Sequence, residues 1–370
     1  MRVAIVCDWL LGTGGAERVV LELHHMFPEA PIYTSQYDKN PKIWFGDKWF
    51  EDADIRTTWL QKLPKSLKKF LPVLRAWTFS RLDLDDYDLV ISSSGAEAKF
   101  VKTKGKHITY CHSPTHYYWG RYEEYLRHPG FGRLDLLARL GLRLLVGPMR
   151  YWDHKAAQRP DYFIANSNYT KGQIKKYYGR DAVVIHPPVD IERFKISASG
   201  GSSILRKGFV TAGRQVPYKK IDLAVKAATK LNTPLVVIGR GADHSKLKRV
   251  AGRSITFLTN VADEEMPEKL AQAEAFIFPG VDDFGIVAVE ALAAGTPVIA
   301  YRDGGALDYV DTSNGLFFEE QTAESLAKAM QEFSKLSFNH SRIAEQAEQF
   351  STANFRTNVQ PFLKSLKKND

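Results

Sequence analysis

Residues 275–301, AFIFPGVDDFGIVAVEALAAGTPVIAY, decide the fold class of this chain. Two short apolar runs, AFIFPG (275–280) and PVIAY (297–301), flank a segment at 287–294 whose pattern favours a helix. Strands that are apolar throughout are buried on both faces, which is typical of parallel sheets covered by helices. The stretch therefore predicts a strand–helix–strand unit of an α/β sheet.

The same alternation of short strands and longer helices extends along the whole chain. Apolar runs predict strands at 3–7, 31–35, 88–94, 107–111, 162–167, 182–188, 208–213, 234–239, 255–259, 275–280 and 297–301. Helical spacing predicts helices at 16–27, 169–178, 221–231, 264–273 and 287–294. Each half of the chain therefore contains enough elements for its own doubly wound sheet.

These elements predict an α/β protein with two Rossmann-like domains, at 1–190 and 208–350. The connection at 191–207 contains SASGGSS, which is typical of a flexible linker. A last helical stretch, 351–370, has no strand after it, and we expect it to pack back toward the N-terminal domain. Ligands of doubly wound sheets bind at the carboxyl ends of the strands, so we expect a site in a central cleft between the domains.

Composition and charge narrow the class of protein. The chain has 370 residues, 44% of them hydrophobic and 25% charged, which fits a globular protein. Its net charge of +9 favours anionic partners. The two cysteines, Cys7 and Cys111, lie in apolar runs, as expected of core residues in a reducing compartment. The N-terminal run is too short for a signal peptide, and no apolar stretch approaches the ~18 residues of a membrane span, so we expect a cytoplasmic protein.

Several familiar sites are excluded by the spacing of their residues. In GTGGAER (12–18), Glu17 takes the place of the third glycine of a dinucleotide fingerprint. The cluster CHSPTH (111–116) lacks the second ligand pair of a closed zinc site. The chain has no P-loop motif, and no stacking or helix-turn-helix pattern accompanies its basic charge. We therefore expect no metal, no other cofactor and no nucleic acid partner.

Two adjacent glycines remain as a possible anion contact. Gly14 and Gly15 follow the first strand and open the next predicted helix. Such a turn presents backbone N–H groups and the positive end of the helix dipole to an anionic ligand. A plain strand-to-helix turn is the alternative interpretation.

Two basic residues follow the strand predicted at 208–213. Arg214 and Lys219 lie within GRQVPYKK (213–220), close to the carboxyl end of that strand. An arginine fork and a lysine charge are the groups that a diphosphate leaving group requires. Two solvated loop charges are the alternative.

Two carboxylates lie at the ends of the turn and helix that follow the strand at 275–280. Asp282 precedes the turn, whose amides at Phe284, Gly285 and Ile286 face the same place as the basic pair. Glu290 lies one turn into a helix that looks core-facing, where an acid requires a partner. It can accept the vicinal hydroxyls of a ribose, and Asp282 can hold hydroxyls of a transferred sugar. The alternative is that Asp282 is an acid favoured by the dipole at a helix N-terminus and that Glu290 is an acid on the helix surface.

These motifs resemble the retaining glycosyltransferases of family four, which have the GT-B fold. The resemblance covers nearly the whole chain and rests on GGAE (14–17), CHSP (111–114), ANSNYT (165–170), IHPPVD (185–190), GRQVPYKK (213–220) and DDFGIVAVEALAAGTPVIA (282–300). The family has Glu at both ends of the seven-residue gap, and this chain has Asp282 at the first. The chain looks most like bacterial GDP-mannose-dependent mannosyltransferases of surface polysaccharide or glycolipid synthesis.

The resemblance implies a role for each matching residue. Domain 1–190 would bind the acceptor, and domain 208–350 would bind the nucleotide-sugar donor. The implied catalytic residues are Arg214, Lys219, Asp282 and His112, the donor-binding residues are Glu290, Phe284, Gly285, Ile286, Val287, Gly15 and Gly14, and the acceptor-binding residue is Asp8.

The implied reaction moves a hexose, with mannose favoured, from a nucleotide sugar to a glycan or lipid-linked acceptor without a metal. GDP-mannose is the favoured donor. The basic side chains would stabilise the departing diphosphate. The alternatives are a GT-B nucleotide-sugar epimerase and a catalytically lapsed protein that binds a glycan or anionic polymer in the same cleft.

Two basic, leucine-rich segments, 62–82 and 133–152, predict a peripheral contact with an anionic membrane surface. In the first, helical spacing places Leu67, Phe70, Leu71, Leu74 and Trp77 opposite Lys65, Lys68, Lys69 and Arg75, and Pro72 would kink or split the helix. Ordinary surface helices with basic outer faces are the alternative. The membrane interpretation fits a lipid-linked acceptor on the cytoplasmic side.

Overall fold

The computed structural model describes residues 1–40, 44, 49–64, 71–130, 132–199 and 205–365. The chain divides into two compact units. The first comprises Met1–Pro188 together with the chain from Arg356 onward, and the second comprises Val189–Phe355. Each unit is built on a parallel sheet, which confirms the predicted fold class.

In the described part of the first unit, seven strands form one parallel sheet with the order β3-β2-β1-β4-β5-β6-β7. The strands are β1 (Val3–Cys7), β2 (Ile32–Thr34), β3 (Ile55–Thr57), β4 (Leu89–Ser94), β5 (Lys106–Cys111), β6 (Tyr162–Ala165) and β7 (Val183–Val184). The helices are α1 (Gly15–Met26), α2 (Pro72–Phe79), α3 (Tyr122–Arg127), α4 (Asp135–Ala156) and α5 (Asn168–Tyr178). The strand order reverses between β1 and β4, where doubly wound folds place their ligands.

The second unit repeats this arrangement with six strands among its described residues, in the order β10-β9-β8-β11-β12-β13. The strands are β8 (Phe209–Ala212), β9 (Leu235–Ile238), β10 (Ile255–Leu258), β11 (Ala275–Phe278), β12 (Val298–Tyr301) and β13 (Gly315–Phe318). The helices are α6 (Glu192–Ser199), α7 (Ile221–Leu231), α8 (His244–Val250), α9 (Met266–Ala271), α10 (Ile286–Ala293), α11 (Ala323–Phe333), α12 (His340–Gln346) and the start of α13 (Thr352–Ser365). Here the order reverses between β8 and β11.

Strand β11 shows why the opening stretch folds as predicted. Its residues alternate between two hydrophobic clusters, because successive side chains of a strand point to opposite faces of the sheet. Phe276 packs with residues of α10 such as Ala288 and Leu292. Ile277 packs in the other cluster, with residues such as Leu326 of α11. Each fully buried side chain of this size stabilises the fold by about 1.5–3 kcal/mol.

The prediction of a linker at 191–207 is wrong for the first part of that range. Residues Glu192–Ser199 form α6, and Phe194 is fully buried in the same cluster as Leu270 and Ala291. Val189 and Ile191, which precede the helix, are buried in the same cluster and dock this part of the chain on the core of the second unit together with Phe194. The glycine-containing remainder, 200–204, lies outside the described residues.

The final helix, α13, begins in the second unit and ends in the first. Arg356 Nε donates to Glu22 Oε2 of α1 at 2.6 Å. The ring of Phe362 lies edge-on to that of Tyr162, with a centroid distance of 6.0 Å. The prediction for 351–370 also covered 366–370, which lie outside the described residues.

Arg75 is the clearest error in the prediction for segment 62–82. It was placed on an exposed basic face, but it is buried and its Nε donates to Glu97 Oε2 at 2.7 Å. Pro72 is the first residue of α2, where proline is tolerated because no intrahelical N–H bond is required. The predicted helical residues at 65–70, which include Lys65, Leu67, Lys68, Lys69 and Phe70, lie outside the described residues.

A second buried ion pair joins Lys99 and Asp153. The Lys99 ammonium lies 2.7 Å from Asp153 Oδ1, and the exposed fractions of the two side chains are 2% and 0%. The other oxygen of Asp153 accepts from Trp119 Nε1 and the Tyr178 hydroxyl, both at 2.7 Å. A buried charge is tolerated because it is both paired and hydrogen-bonded.

Replacing Asp153 tests this network. Asp153→Ala leaves the buried Lys99 charge without its partner, so we expect the free energy of unfolding of the first unit to fall by about 3–5 kcal/mol. Urea unfolding followed by tryptophan fluorescence measures the change. The exposed pair Lys175–Asp181, with N–O distance 2.9 Å, supplies the control, and Asp181→Ala is expected to cost less than about 1 kcal/mol. Equal effects of the two substitutions would contradict the role given to the buried pair.

Candidate functional site

The loops that follow β8 and β11 meet at the switch point of the second sheet. Gly280 lies where they touch, since a Cβ added there would be 2.9 Å from the Tyr218 carbonyl oxygen and 3.0 Å from Lys219 Cα. A larger residue would push the two loops apart. The close approach brings the predicted basic loop, 213–220, against the loop that carries Asp282.

Lys219 and Asp282 form an ion pair across these loops. The lysine ammonium donates to Asp282 Oδ2, and the exposed fractions of the two side chains are 23% and 11%. Sequence reasoning proposed both residues for the site without predicting this contact. Each of the two side chains fixes the orientation of the other, and both lie at the carboxyl ends of neighbouring strands.

Arg214 is exposed and is connected to Lys219 through Tyr218. The guanidinium donates to the Tyr218 hydroxyl, and its Cζ lies 5.9 Å from the centroid of the tyrosine ring. The Lys219 ammonium lies at the same distance from that ring. Sequence reasoning missed Tyr218, because a tyrosine between basic residues in a loop has no distinctive pattern. Its ring separates and positions the two cations.

Helix α10 begins at this place and depends on Gly285. This residue has φ of +96°, and an added Cβ would lie 2.5 Å from the ring of Phe278 and 2.7 Å from the Tyr309 hydroxyl. That hydroxyl in turn donates to the carbonyl of Phe284 at 2.8 Å. Ile286 and Val287 form the first turn of the helix. The N–H groups of a first turn lack intrahelical partners and carry the positive end of the dipole, so they can bind an anion.

Glu290 follows in α10 and is buried, with an exposed fraction of 6%. Its charge acts on Arg193 of α6, a residue that sequence reasoning missed. Burial opposes the charge of Arg193, but its hydrogen bond with Asp263 and the nearby carboxylates of Glu290 and Asp190 outweigh burial and raise its pKa. The predicted core-facing acid therefore has Arg193 as an electrostatic neighbour.

His112 follows β5 in the first unit and is held by the ends of neighbouring strands. Its Nε2 lies 2.7 Å from the Ser93 hydroxyl of β4. Its carbonyl accepts from Asn166 Nδ2, just after β6, at 2.9 Å. Gly14 and Gly15 lie at the same edge of this sheet, as the N-cap and first residue of α1.

Asp8 was predicted to contact an acceptor, and its carboxylate accepts three backbone hydrogen bonds. One oxygen accepts from Ala98 N at 2.6 Å, and the other accepts from Gly95 N at 2.8 Å and Ala96 N at 2.9 Å. Burial raises the pKa of this carboxyl, while the backbone hydrogen bonds oppose the rise. Asp8 thus ties the end of β1 to the loop after β4, and its contact with an acceptor stays a prediction.

The predicted residues therefore form two groups, one in each unit. The group in the second unit lies around the switch point of its sheet and comprises Arg214, Lys219, Asp282, Glu290 and the first turn of α10. His112 and the two glycines lie at the corresponding edge of the first sheet. A cleft that unites the two groups stays a prediction.

In the part of the chain that the structure describes, no group of three or more His, Cys, Asp or Glu side chains is arranged to hold a metal ion. None of the described helices combines the length and apolar character required to span a bilayer.

Two protein-family models match the chain. The model described as "Glycosyltransferase Family 4" matches residues 13–193, and "Glycosyl transferases group 1" matches residues 192–350. Together they account for the chain from 13 to 350, and each unit is matched by a glycosyltransferase model.

Curated relatives match smaller parts of the chain. A GDP-mannose-dependent monoacylated alpha-(1-6)-phosphatidylinositol monomannoside mannosyltransferase from Corynebacterium glutamicum is 31% identical over 191 residues, 44% of this chain and 50% of that protein. A D-inositol 3-phosphate glycosyltransferase from Streptomyces scabiei is 28% identical over 175 residues, 39% of each protein. The chain thus spans about half the length of these relatives, or less.

Solved structures match the chain over its length. HepE of Anabaena, in complex with UDP, superposes with a TM-score of 0.67 at 18% identity, over 99% of this chain and 100% of that chain. Sucrose-phosphate synthase from Thermosynechococcus elongatus gives a TM-score of 0.72 at 14% identity, over 100% of both chains. At these identities the likeness shows the fold alone, which is GT-B. With two family models that together match nearly the whole chain, the protein belongs to the glycosyltransferases of the GT-B fold.

Proposed function

We propose that the protein transfers a hexose, with mannose favoured, from a nucleotide diphosphate sugar to a glycan or lipid-linked acceptor, with retention at the anomeric carbon. The observation that carries the proposal is the cluster at the β8–β11 switch point. There Arg214 and the Lys219–Asp282 pair lie beside the first turn of α10. This arrangement supplies positive charge where a diphosphate leaving group would develop negative charge.

In the proposed reaction the bond between the anomeric carbon and the phosphate oxygen breaks, and its electron pair stays on the phosphate. Arg214, Lys219 and the N–H groups at the start of α10 stabilise that charge. The acceptor oxygen bonds to the same face of the anomeric carbon, and its proton passes to the departing phosphate oxygen. Asp282, which is paired with Lys219, is proposed to hold sugar hydroxyls and does not act as a nucleophile.

The identity of the donor rests on the relatives. Several mannosyltransferases among them have names that include GDP-mannose dependence. Other relatives are named only as D-inositol 3-phosphate glycosyltransferases, so their names do not bear on the sugar. We propose GDP-mannose as donor, Glu290 as the acceptor of ribose hydroxyl hydrogen bonds, and a role in surface polysaccharide or glycolipid synthesis.

We also propose that the first unit docks peripherally on the anionic cytoplasmic face of a membrane. Helix α4 supports this, because it exposes a face of large apolar side chains to solvent: Leu136 (76%), Leu137 (65%), Leu140 (55%), Leu144 (68%), Leu145 (50%), Tyr151 (64%) and Trp152 (49%). Apolar faces of this extent on a soluble monomer usually mark an interaction surface. Arg143 is exposed on the same helix, which fits an anionic lipid surface.

A thermal-shift panel tests the donor. We expect GDP-mannose, and not UDP-, ADP- or dTDP-sugars, to raise the melting temperature, because a ligand that binds only the native state stabilises it by about 2.7 kcal/mol at a concentration of 100 Kd. The shift should be unchanged by EDTA, because the site supplies its charge from side chains. Loss of the shift in EDTA would contradict a metal-independent site. A shift with only one of the other nucleotide sugars would show that the donor carries a base other than guanine.

Replacing Glu290 separates an enzyme from a polymer-binding protein. Glu290→Gln keeps the shape but removes the charge that accepts ribose hydroxyls, so we expect the donor-induced shift and mannose transfer to be lost. The exposed helix acid Glu332 supplies the control, since Glu332→Gln should change neither. Transfer is followed with labelled donor and lipid extract. Transfer that survives Glu290→Gln would remove the assigned role, and polymer binding without any transfer would favour the lapsed binding protein.

Charged substitutions on α4 test the membrane surface. The double variant Leu140→Glu, Leu144→Glu should lower co-sedimentation with phosphatidylglycerol vesicles by about tenfold or more, because each buried leucine contributes about 1.5–3 kcal/mol. Leu336 is an exposed leucine of the second unit, and Leu336→Glu should leave binding unchanged. Equal binding of the wild type to anionic and purely zwitterionic vesicles would contradict the electrostatic part of the proposal.

A further inference from the structure

Lys220 has a backbone conformation that is unusual for its residue type and place. It follows Lys219 and is the N-cap of α7, with φ of 52° and ψ of 28° in the left-handed region. The other described residues apart from glycine with positive φ are Phe50 and Asn232. Asn232 lies at the C-cap of the same helix, where a left-handed residue is ordinary. At an N-cap, extended backbone is the usual conformation.

Three local preferences oppose a lysine at this position. Left-handed backbone is unfavourable for a side chain with a Cβ and is adopted readily by glycine or asparagine. The side chain makes no capping hydrogen bond to α7, whereas Asn, Asp, Ser or Thr would. A cation also opposes the positive end of the helix dipole. Residues that break local rules without a structural gain are expected at functional places.

Within the described residues, the surroundings of Lys220 provide no ion pair that would offset these costs. No carboxylate of the described residues lies within ion-pair distance of its ammonium. The nearest acid in sequence, Asp222, is paired with Lys226 at 2.8 Å. The backbone of Lys220 is fixed, because its N–H donates to the Pro217 carbonyl at 3.2 Å and its carbonyl accepts from Leu223 N at 3.0 Å. The strained residue is therefore held firmly beside Lys219.

The charge balance of the neighbouring site is incomplete without Lys220. The positive charge of Lys219 is largely cancelled by Asp282. Arg214 has no carboxylate partner among the described residues and so contributes one full positive charge, and the first turn of α10 adds about half a charge. A nucleotide sugar carries a negative charge on each of its two phosphate groups, so about half a positive charge remains to be supplied, and one further cation would supply it.

We propose that Lys220 supplies this charge and binds the diphosphate of the donor together with Arg214 and Lys219. The inference rests on the proposed function, and it adds a residue that selects a diphosphate over a monophosphate. Consecutive Cα atoms are about 3.8 Å apart, and a lysine has a long flexible arm, so its ammonium can serve the same anion as that of Lys219. The ligand then offsets the strain and dipole repulsion present in the free protein.

Three substitutions separate charge from backbone conformation. Lys220→Arg keeps both the charge and the strain, Lys220→Asn removes the charge and tolerates left-handed backbone, and Lys220→Gly removes both. Calorimetric titration with GDP, UDP and ADP, and with the matching monophosphates, gives the affinities. For the diphosphate that the wild type binds, we expect Kd to rise about tenfold in the Asn and Gly variants and less than threefold in the Arg variant. Monophosphate affinity should change less than threefold in all.

The free protein should respond in the opposite direction. Without ligand, the Asn and Gly variants should melt at a higher temperature than the wild type, because both relieve the left-handed lysine. Lys230, an exposed lysine in the last turn of α7, supplies the charge-matched control, and Lys230→Asn should leave the diphosphate affinity within twofold of the wild type.

The outcomes that would overturn the inference are distinct from failure of the proposed function. If the wild type binds a diphosphate and Lys220→Asn binds it equally well, Lys220 has no role in binding while the proposed function stands. If Lys220→Asn and Lys220→Gly both lower the melting temperature of the free protein, the lysine is structural and the inference is wrong. If the wild type binds none of the nucleotides, the proposed function fails together with the inference.

Discussion

A parallel sheet covered by helices on both faces leaves its charged side chains little room except at the ends of its strands. In the second unit this constraint places Arg214 and Lys219 after β8 and Asp282 after β11, on neighbouring strands of one sheet. Gly280 allows the two loops to touch, and Gly285 allows α10 to start where they meet. The chemistry proposed for the protein follows from this arrangement, since charge, helix dipole and buried carboxylate converge on one edge.

Much of this arrangement was predictable, because it depends on local pattern. The apolar runs predicted every described strand except β3 and β13. The sequence of β3, IRT, is interrupted by an arginine, and that of β13, GLFF, contains no β-branched residue. The candidate residues of the second unit were found because they follow strands in motifs of known spacing. Arg193 and Tyr218 were missed, because their importance comes from neighbours that are distant in sequence or from the fold of a loop.

The first unit shows where sequence reasoning reaches its limit. Helical spacing places charged residues such as Arg75 at the surface. It contains no information about Glu97, which lies 22 residues later in the sequence and pairs with Arg75 in the folded chain. Asp8 was assigned to the site because it follows a strand at the correct edge. Its carboxylate also holds the loop after β4, a contact that its position in the sequence does not indicate. Pairing of buried charges depends on tertiary structure, so composition and periodicity carry no signal for it.

The course of α13 has a consequence for how the chain is made. Arg356 contacts Glu22 across 334 positions of sequence, and the chain from Arg356 onward belongs to the first unit. A ribosome delivers the N-terminal residues first, and domains usually fold as they emerge. Here the first unit cannot acquire its last helix until the second has been synthesised. The N-terminal half therefore spends the whole of that interval as an incomplete domain, with the surface that receives α13 uncovered during translation.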